Sequence, residues 1–437
     1  MDFLNDTYPL IIACSLIVIV SFLFSGFARK TNIPSVLMLI GLGIVLKVIL
    51  DAQGIDNTEG FNSVLPLLGT LGLIMIVLEA ALELELRRDK LLAIGKALII
   101  ALVGLVGSTW LTALILEWHL DDMDTIHAWL YATPLSILSS AIVIPSVGGL
   151  SSKKKEFHIY ESTFSDILGI MQFYLIEGLI EKGPQEGAIE FSVSLVLTIL
   201  FSVTASYALI FIFQNIRTSV KLFLLISILL LLYALGKEMH LSSLIIILVF
   251  GLTIANMKVF FRGKLGKWVD FDKAKNIYHG LHTVTAETAF IVRTFFFVIF
   301  GLTIVLSHLL YLDVAIVSGL ILLSIYGFRF LYLYAFLGRD IMPQLFTAPR
   351  GLITILLFTS IPDELAIPSF EPGILLFIII TTSLIMTIAL IVDKQRTGKA
   401  IGKAQATPIG FSKWKAPSVE EAIAQQEGEA HGESEGH

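Results

Sequence analysis

The chain has 437 residues, of which 56% are hydrophobic and 15% charged, with a formal net charge of -6. A water-soluble protein would carry about 25% charged residues, so the composition excludes a soluble globular enzyme and defines a polytopic, all-α membrane protein. A single cysteine, Cys14, excludes an intrachain disulfide, a zinc–thiolate cluster and an iron–sulfur site.

A helix needs about 20 apolar residues to cross a bilayer. That rule predicts thirteen segments, at about 8–27, 33–50, 65–86, 91–117, 127–150, 155–181, 189–214, 220–236, 241–257, 279–306, 309–337, 341–361 and 369–393. The acidic start, Met1-Asp2-Phe3-Leu4-Asn5-Asp6, lacks a basic stretch and does not read as a cleavable signal peptide. Lys and Arg fall on alternate loops: 23 lie on one side, including Arg87, Arg88, Lys153 to Lys155 and Arg339, against Lys182 and Lys237 on the other. The positive-inside rule then predicts a multi-pass plasma-membrane protein with its N-terminus outside and its C-terminus cytoplasmic. An odd number of crossings requires the same. Residues 1–393 are expected to form the transmembrane domain. Residues 394–437, polar and ending Glu-Gly-Glu-Ala-His-Gly-Glu-Ser-Glu-Gly-His, are expected to form a short disordered tail whose partner the composition does not identify. No G-x-x-x-x-G-K-[ST] phosphate loop occurs, so neither ATP nor another nucleotide is an expected partner, and nothing indicates nucleic acid.

Thirteen segments allow two six-segment halves around a connecting seventh, and their opposite starting sides make the repeat inverted. Paired interrupted helices at corresponding positions mark the binding site in such transporters. Segment five holds Pro134 and Pro145 around Ser136, Ser139 and Ser140; its counterpart, segment twelve, holds Pro343 and Pro349 followed by Arg350-Gly351. Proline removes a helix hydrogen bond, and the freed carbonyls are tolerated in a membrane where they line a cavity. Paired proline kinks without function are the plainer alternative.

Segment six carries Glu161-Ser162-Thr163-Phe164-Ser165-Asp166. Asp166 lies about eleven residues in, or roughly 16 Å at 1.5 Å per residue, near the midplane, with Arg350 at matching depth. An ionisable group there marks an ion or proton path, although Asp166 and Arg350 could also form a buried packing pair. A carboxylate, a hydroxyl and unwound carbonyls suit a small hard cation. The same carboxylate, desolvated, could hold a proton, and a group binding one or the other is the minimum for exchange. Glu79, Arg293 and Arg329 are also intramembrane; similar depth suggests a Glu79–Arg329 ion pair with Arg293 as competitor, serving stability. Glu177, Lys47 and Lys96 lie near segment ends and are expected to reach the interface. Asp121, Asp122 and Asp124 form an outer acidic turn, and the nine histidines show no metal-binding spacing.

Glu161-Ser162-x-x-Ser165-Asp166 resembles the E-S-x-x-N-D motif of the monovalent cation:proton antiporters, in their sodium/proton exchanger branch. Pro349-Arg350-Gly351-Leu352 is similar to that family's R-G motif, and Ile33-Pro34 through Gly43, Leu78 to Leu84 and Phe295 to Gly301 resemble its recurring stretches. The resemblance covers about residues 8–393. It implies a sodium/proton antiporter fold in which Asp166 is the exchange carboxylate, Ser162 is a cation ligand, and Glu161 and Arg350 brace the site through a charge pair. It also implies core helices at about 91–181 and 309–393, moving against a dimer-forming scaffold at about 8–86 and 220–306, with 189–214 as linker. Two positions depart from the family pattern: Ser165 stands where Asn or Asp is usual, and Ser139-Ser140-Ala141-Ile142 replaces the T-D-P of the first interrupted helix. Ser139, Ser140, Ser165 or backbone carbonyls are the candidates for the remaining cation ligands.

The expected function is secondary active exchange of Na⁺, or Li⁺ or K⁺, for H⁺, electroneutral with one carboxylate, by a lipid-embedded homodimer without a cofactor. A cation-coupled symporter of a small organic anion is the alternative on the same fold, but it would want a wider polar cavity. A channel or membrane sensor would want a continuous polar path, whereas the polar residues here cluster at one depth.

Overall fold

The computed structural model describes residues 7–31, 33–52, 58–84, 86, 90–214, 216, 221–239, 241–261, 270–303 and 311–406. Among these residues the secondary structure is helical, with no strand. In chain order the helices are α1 (Thr7–Thr31), α2 (Ser35–Ala52), α3 (Thr58–Glu83), α4 (Leu91–His119), α5 (Thr125–Ser136), α6 (Ser140–Ser146), α7 (Ser152–Lys182) and α8 (Pro184–Phe213). They continue with α9 (Lys221–Glu238), α10 (Ser243–Ala255), α11 (Met257–Phe260), α12 (Phe271–Thr303), α13 (Leu312–Leu337), α14 (Leu352–Thr359) and α15 (Gly373–Ala406).

Each predicted segment finds its helix, with segments five and twelve interrupted. Segment five divides into α5 and α6; segment twelve is a run of turns and extended chain that becomes helical at α14. Boundaries move where a helix continues past its apolar part. Segment ten was expected from 279, yet α12 starts at Phe271, because its first turns carry Asp272, Lys273 and Lys275 outside the greasy stretch that hydropathy detects. α15 likewise stays helical to Ala406; the larger part of the expected tail, 407–437, lies outside the described residues, as do Arg87 and Arg88.

Two of the three prolines expected at the breaks lie beside the break and not in it. Pro134 and Pro145 lie inside α5 and α6, and the chain opens between them at 137–139. Pro134 cannot donate to the turn before it, while Ser136 Oγ donates back to Ala132 O at 2.9 Å, so α5 ends two residues later. Pro349 lies in the extended stretch ahead of α14.

α4 packs against α5, α7 and α13, whereas α12 packs against α2 and α3. α10 lies against α3 and α8, and α14 reaches α3, α5 and α7. Outward faces of α1, α4 and α8 expose Ile12, Phe22, Trp110, Trp118 and Leu200, side chains suited to hydrocarbon.

α2 and α12 approach through glycine. A Cβ on Gly301 would come within 3.0 Å of Gly43 Cα and also strike the Ile40 carbonyl. Small residues supply such contacts between membrane helices, where no hydrophobic force drives association. Gly301→Val should therefore cost about 1–3 kcal/mol through overpacking. Gly319→Val, on an open face of α13, should stay within about 0.5 kcal/mol. Thermal melting of the two purified variants in detergent checks the contrast.

Candidate functional site

The two interrupted segments touch. Ser139 N donates to Pro349 O at 2.9 Å, joining the extended stretch after α5 to the one before α14. The approach requires glycine next to Arg350, since a Cβ on Gly351 would lie 2.6 Å from Ser139 Oγ.

Interrupted backbone in a membrane must find partners inside the protein, and here α7 supplies them. Leu138 N donates to Ser165 Oγ at 2.9 Å, and Ser140 N donates to Asp166 Oδ2 at 3.3 Å. With the Ser139–Pro349 bond, three successive N–H groups are accounted for. The carbonyls at the end of α5 are taken by Arg350: Nε donates to Leu135 O at 2.9 Å and Nη2 to Ser136 O at 3.3 Å, while Nη1 holds Ala348 O at 2.6 Å. Arg350, 1% exposed, thus binds carbonyls of both interrupted segments.

Arg329 does the same for the turns before Pro349. Its guanidinium donates to the carbonyls of Gln344, Leu345 and Thr347 at 3.0–3.3 Å. It also forms a two-pronged pair with Glu161, each N–O distance 2.9 Å, and reaches Tyr332 Oη at 2.7 Å. This corrects two expectations. Arg329 pairs with Glu161 and not with Glu79. Glu161 is braced by Arg329 and not by Arg350, which the carbonyls occupy. Glu79 lies 3.6 Å from Arg293, the expected competitor, which also donates to Ala141 O at 3.3 Å. The reason is geometric: similar depth along two spans does not make them neighbours, and α13 packs against α4 whereas α3 packs against α10 and α12.

Asp166 is 4% exposed, and its Oδ1 has no hydrogen-bond partner among the described residues. It lines a small chamber of about 10 Å³ with Thr163, walled by Ile76 and Val77 of α3, Leu244 and Leu248 of α10, and Ile353 of α14. Ser162 and Ser165 do not line this chamber. Ser162 Oγ donates to His158 O at 2.7 Å, one turn back along α7, and Ser165 faces the Glu161–Arg329–Arg350 side. Ser139 Oγ is buried without a partner among the described residues.

Cavities lie on both sides of the chamber. One of about 740 Å³ is lined by Ser140, Ile142, Glu79, Glu287 and Arg293 and shares Ile76 and Ala80 with the chamber. The other, about 250 Å³, is lined by Glu177, Glu181, Glu190, Lys182 and Lys237 and shares Leu244 with it. Glu177, expected at the interface, opens onto this second cavity. Of the outer aspartates, Asp124 caps α5 by accepting from His127 N at 3.0 Å, and Asp122 accepts from the Ser369 hydroxyl.

Sequence reasoning passed over His158, whose Nδ1 lies 3.6 Å from Glu161 Oε2, and Tyr332. Their signal was spacing: His158 precedes Glu161 by three residues, and Tyr332 follows Arg329 by three, so each shares a helix face with its partner. Thr163 was quoted only as part of the polar run.

An all-α bundle with two interrupted segments meeting at a buried carboxylate defines a multi-pass membrane transporter, not an enzyme. The family model for the transmembrane region of sodium/hydrogen exchangers matches residues 16–394, and the chain belongs to that family. No curated protein matches the sequence. Among solved structures, the fold is similar to that of the sodium proton antiporter MjNhaP1 of Methanocaldococcus jannaschii at pH 8, with a TM-score of 0.67 and 19% identity, over 87% of this chain and 96% of that one. An electron-microscopy structure of the same antiporter gives a TM-score of 0.62 at 19% identity, over 94% of this chain and all of that one.

The corrected ion pair is testable. Arg329→Met alone strands the Glu161 carboxylate and should destabilise by about 3–5 kcal/mol. Combining it with Glu161→Gln should recover at least about 1 kcal/mol relative to the sum of the single changes. Melting temperatures of the four proteins in one detergent complete the cycle; additive losses would overturn the pair.

Proposed function

We propose that the chain exchanges a monovalent cation, Na⁺ first among Li⁺ and K⁺, for H⁺, with Asp166 carrying either ion in turn. The observation that carries this reading is the state of Asp166: a buried carboxylate with one oxygen held by the start of α6 and the other without a partner among the described residues. Such a group is unstable as a bare anion, and a proton or a hard cation relieves it equally well. Ser139 and Ser140, at the break where Ser140 N meets Asp166 Oδ2, are the candidates for further oxygen ligands. One titrating carboxylate per site makes the exchange electroneutral, one for one.

Alternating access follows the two cavities. Ser140 lines the larger cavity, which reaches the start of α2 and the end of α6, at the bundle end with the basic loops. With the N-terminus outside and the C-terminus cytoplasmic in a plasma membrane, that cavity faces the cytoplasm. The seal toward the other side is the aliphatic wall at Leu244. In the proposed cycle α4 to α7 and α13 to α15 move as a core against a scaffold of α1 to α3, α9, α10 and α12, with α8 as linker. A homodimer joined through the scaffold would hold that part still in the lipid.

Purified protein in liposomes, with a trapped pH indicator, tests the reading. Addition of Na⁺ or Li⁺ should move protons; Asp166→Asn should reduce the rate to that of empty liposomes. Full activity in Asp166→Asn would sink the assignment. A valinomycin-clamped potential should leave the initial rate unchanged within about 20%, because a one-for-one cycle moves no net charge and has no electrical driving term. A rate that follows the potential would exclude that stoichiometry.

A further inference from the structure

Three hydroxyl residues precede Asp166 within four positions, and the structure gives them different tasks. Ser162 Oγ is spent on His158 O at 2.7 Å, with Ile159 O at 3.4 Å. Ser165 Oγ is fixed by Leu138 N at 2.9 Å. Thr163 is fully buried, yet its Oγ1 has no hydrogen-bond partner among the described residues. Threonine in a helix ordinarily bonds the carbonyl four residues back, as Ser162 does, so an orphaned hydroxyl here is an exception. Leaving a buried hydroxyl unsatisfied costs about 1–3 kcal/mol.

The second orphan is Asp166 Oδ1, three residues further along the same face of α7. Thr163 and Asp166 line one chamber, and its other walls, Ile76, Val77, Leu244 and Leu248 among them, are aliphatic. At about 10 Å³, the chamber has room for about one water-sized particle. Two side chains that line one such space, each with an oxygen lacking a partner among the described residues, offer a hydroxyl and a carboxylate as a hard donor pair. Neither oxygen is needed to hold the backbone together, unlike Ser165 and Asp166 Oδ2.

We propose that Thr163 is a direct ligand of the transported cation, completing with Asp166 Oδ1 the site that Ser162 does not reach, and that it sets preference among monovalent cations. The assignment rests on Asp166 being the exchange carboxylate. The hydroxyl dipole favours the cation-loaded form; a proton on Asp166 needs it much less. Loss of Oγ1 therefore weakens cation binding more than proton binding.

The test compares Thr163→Val, Thr163→Ser, Ser162→Ala and Asp166→Asn in liposomes with a trapped pH indicator, titrating NaCl and LiCl. Removing a ligand to a charged species is worth about 1.5–3 kcal/mol, so Thr163→Val should raise half-saturating Na⁺ by roughly tenfold or more. Its maximal rate should persist, and its Li⁺/Na⁺ preference should change. Thr163→Ser, which keeps the oxygen, should restore most of the affinity, and Ser162→Ala should shift it far less than Thr163→Val. A Na⁺ half-saturation in Thr163→Val equal to the parent, or a larger shift in Ser162→Ala, overturns the proposal while leaving Asp166 in place. Activity surviving in Asp166→Asn sinks the underlying reading instead. If Thr163→Val does not purify as a folded protein, Thr163→Ala takes its place: a Na⁺ half-saturation and a Li⁺/Na⁺ ratio both equal to the parent's in Thr163→Ala overturn the proposal.

Discussion

Backbone that leaves the helix in mid-membrane has no water to turn to, and the centre of this protein is organised by that requirement. Residues 137–139 and 348–351 open two segments at one depth. Their polar groups are answered by each other, by two arginines and by α7. Arg350 collects carbonyls from both sides of the crossing, and Arg329 collects those of the preceding turns while clasping Glu161. Among the described residues neither guanidinium hydrogen-bonds to Asp166. The charge of Arg350 instead meets the negative end of α5, as the helix dipole favours, and that of Arg329 meets turn carbonyls and Glu161. The price of interruption is thereby met without using up the carboxylate.

Much of this was legible in the chain. The spans follow from hydropathy, and the interrupted pair from matched proline-containing polar runs. Asp166 stands out because a charge eleven residues into an apolar stretch has few structural uses. What was not legible is rotation. Sequence position gives depth along a span but not the direction in which a side chain leaves it, nor which span stands opposite. Glu79 and Arg329 share a level and never meet; Glu161 finds Arg329 because α13 and α7 both flank α4. For the same reason Ser162, one turn before Asp166, looked the natural neighbour. Its hydroxyl points back to His158 O, and the face toward the aliphatic wall belongs to Thr163.

Ser165 shows how a departure from a family pattern can be absorbed. The position carries a structural duty, to accept from Leu138 N, and one hydroxyl oxygen performs it. An amide would bring a second polar group to the place, so the substitution simplifies the site without opening the crossing.

The wall opposite Asp166 bears on leakage. Ile76, Val77, Leu244 and Leu248 offer no polar atom from their side chains to a passing charge. An ionised, unloaded carboxylate sliding past them would forfeit its solvation, a penalty of several kcal/mol even after relaxation. Each 1.4 kcal/mol slows that step tenfold. In the proposed cycle the same carboxylate, loaded with a proton or a cation, would cross as a neutral unit. Slippage, the return of an empty carrier that would dissipate one gradient without building the other, would thus be suppressed by what the wall lacks. Inert side chains, and not any gate residue, would then set how tightly the two ions are tied together.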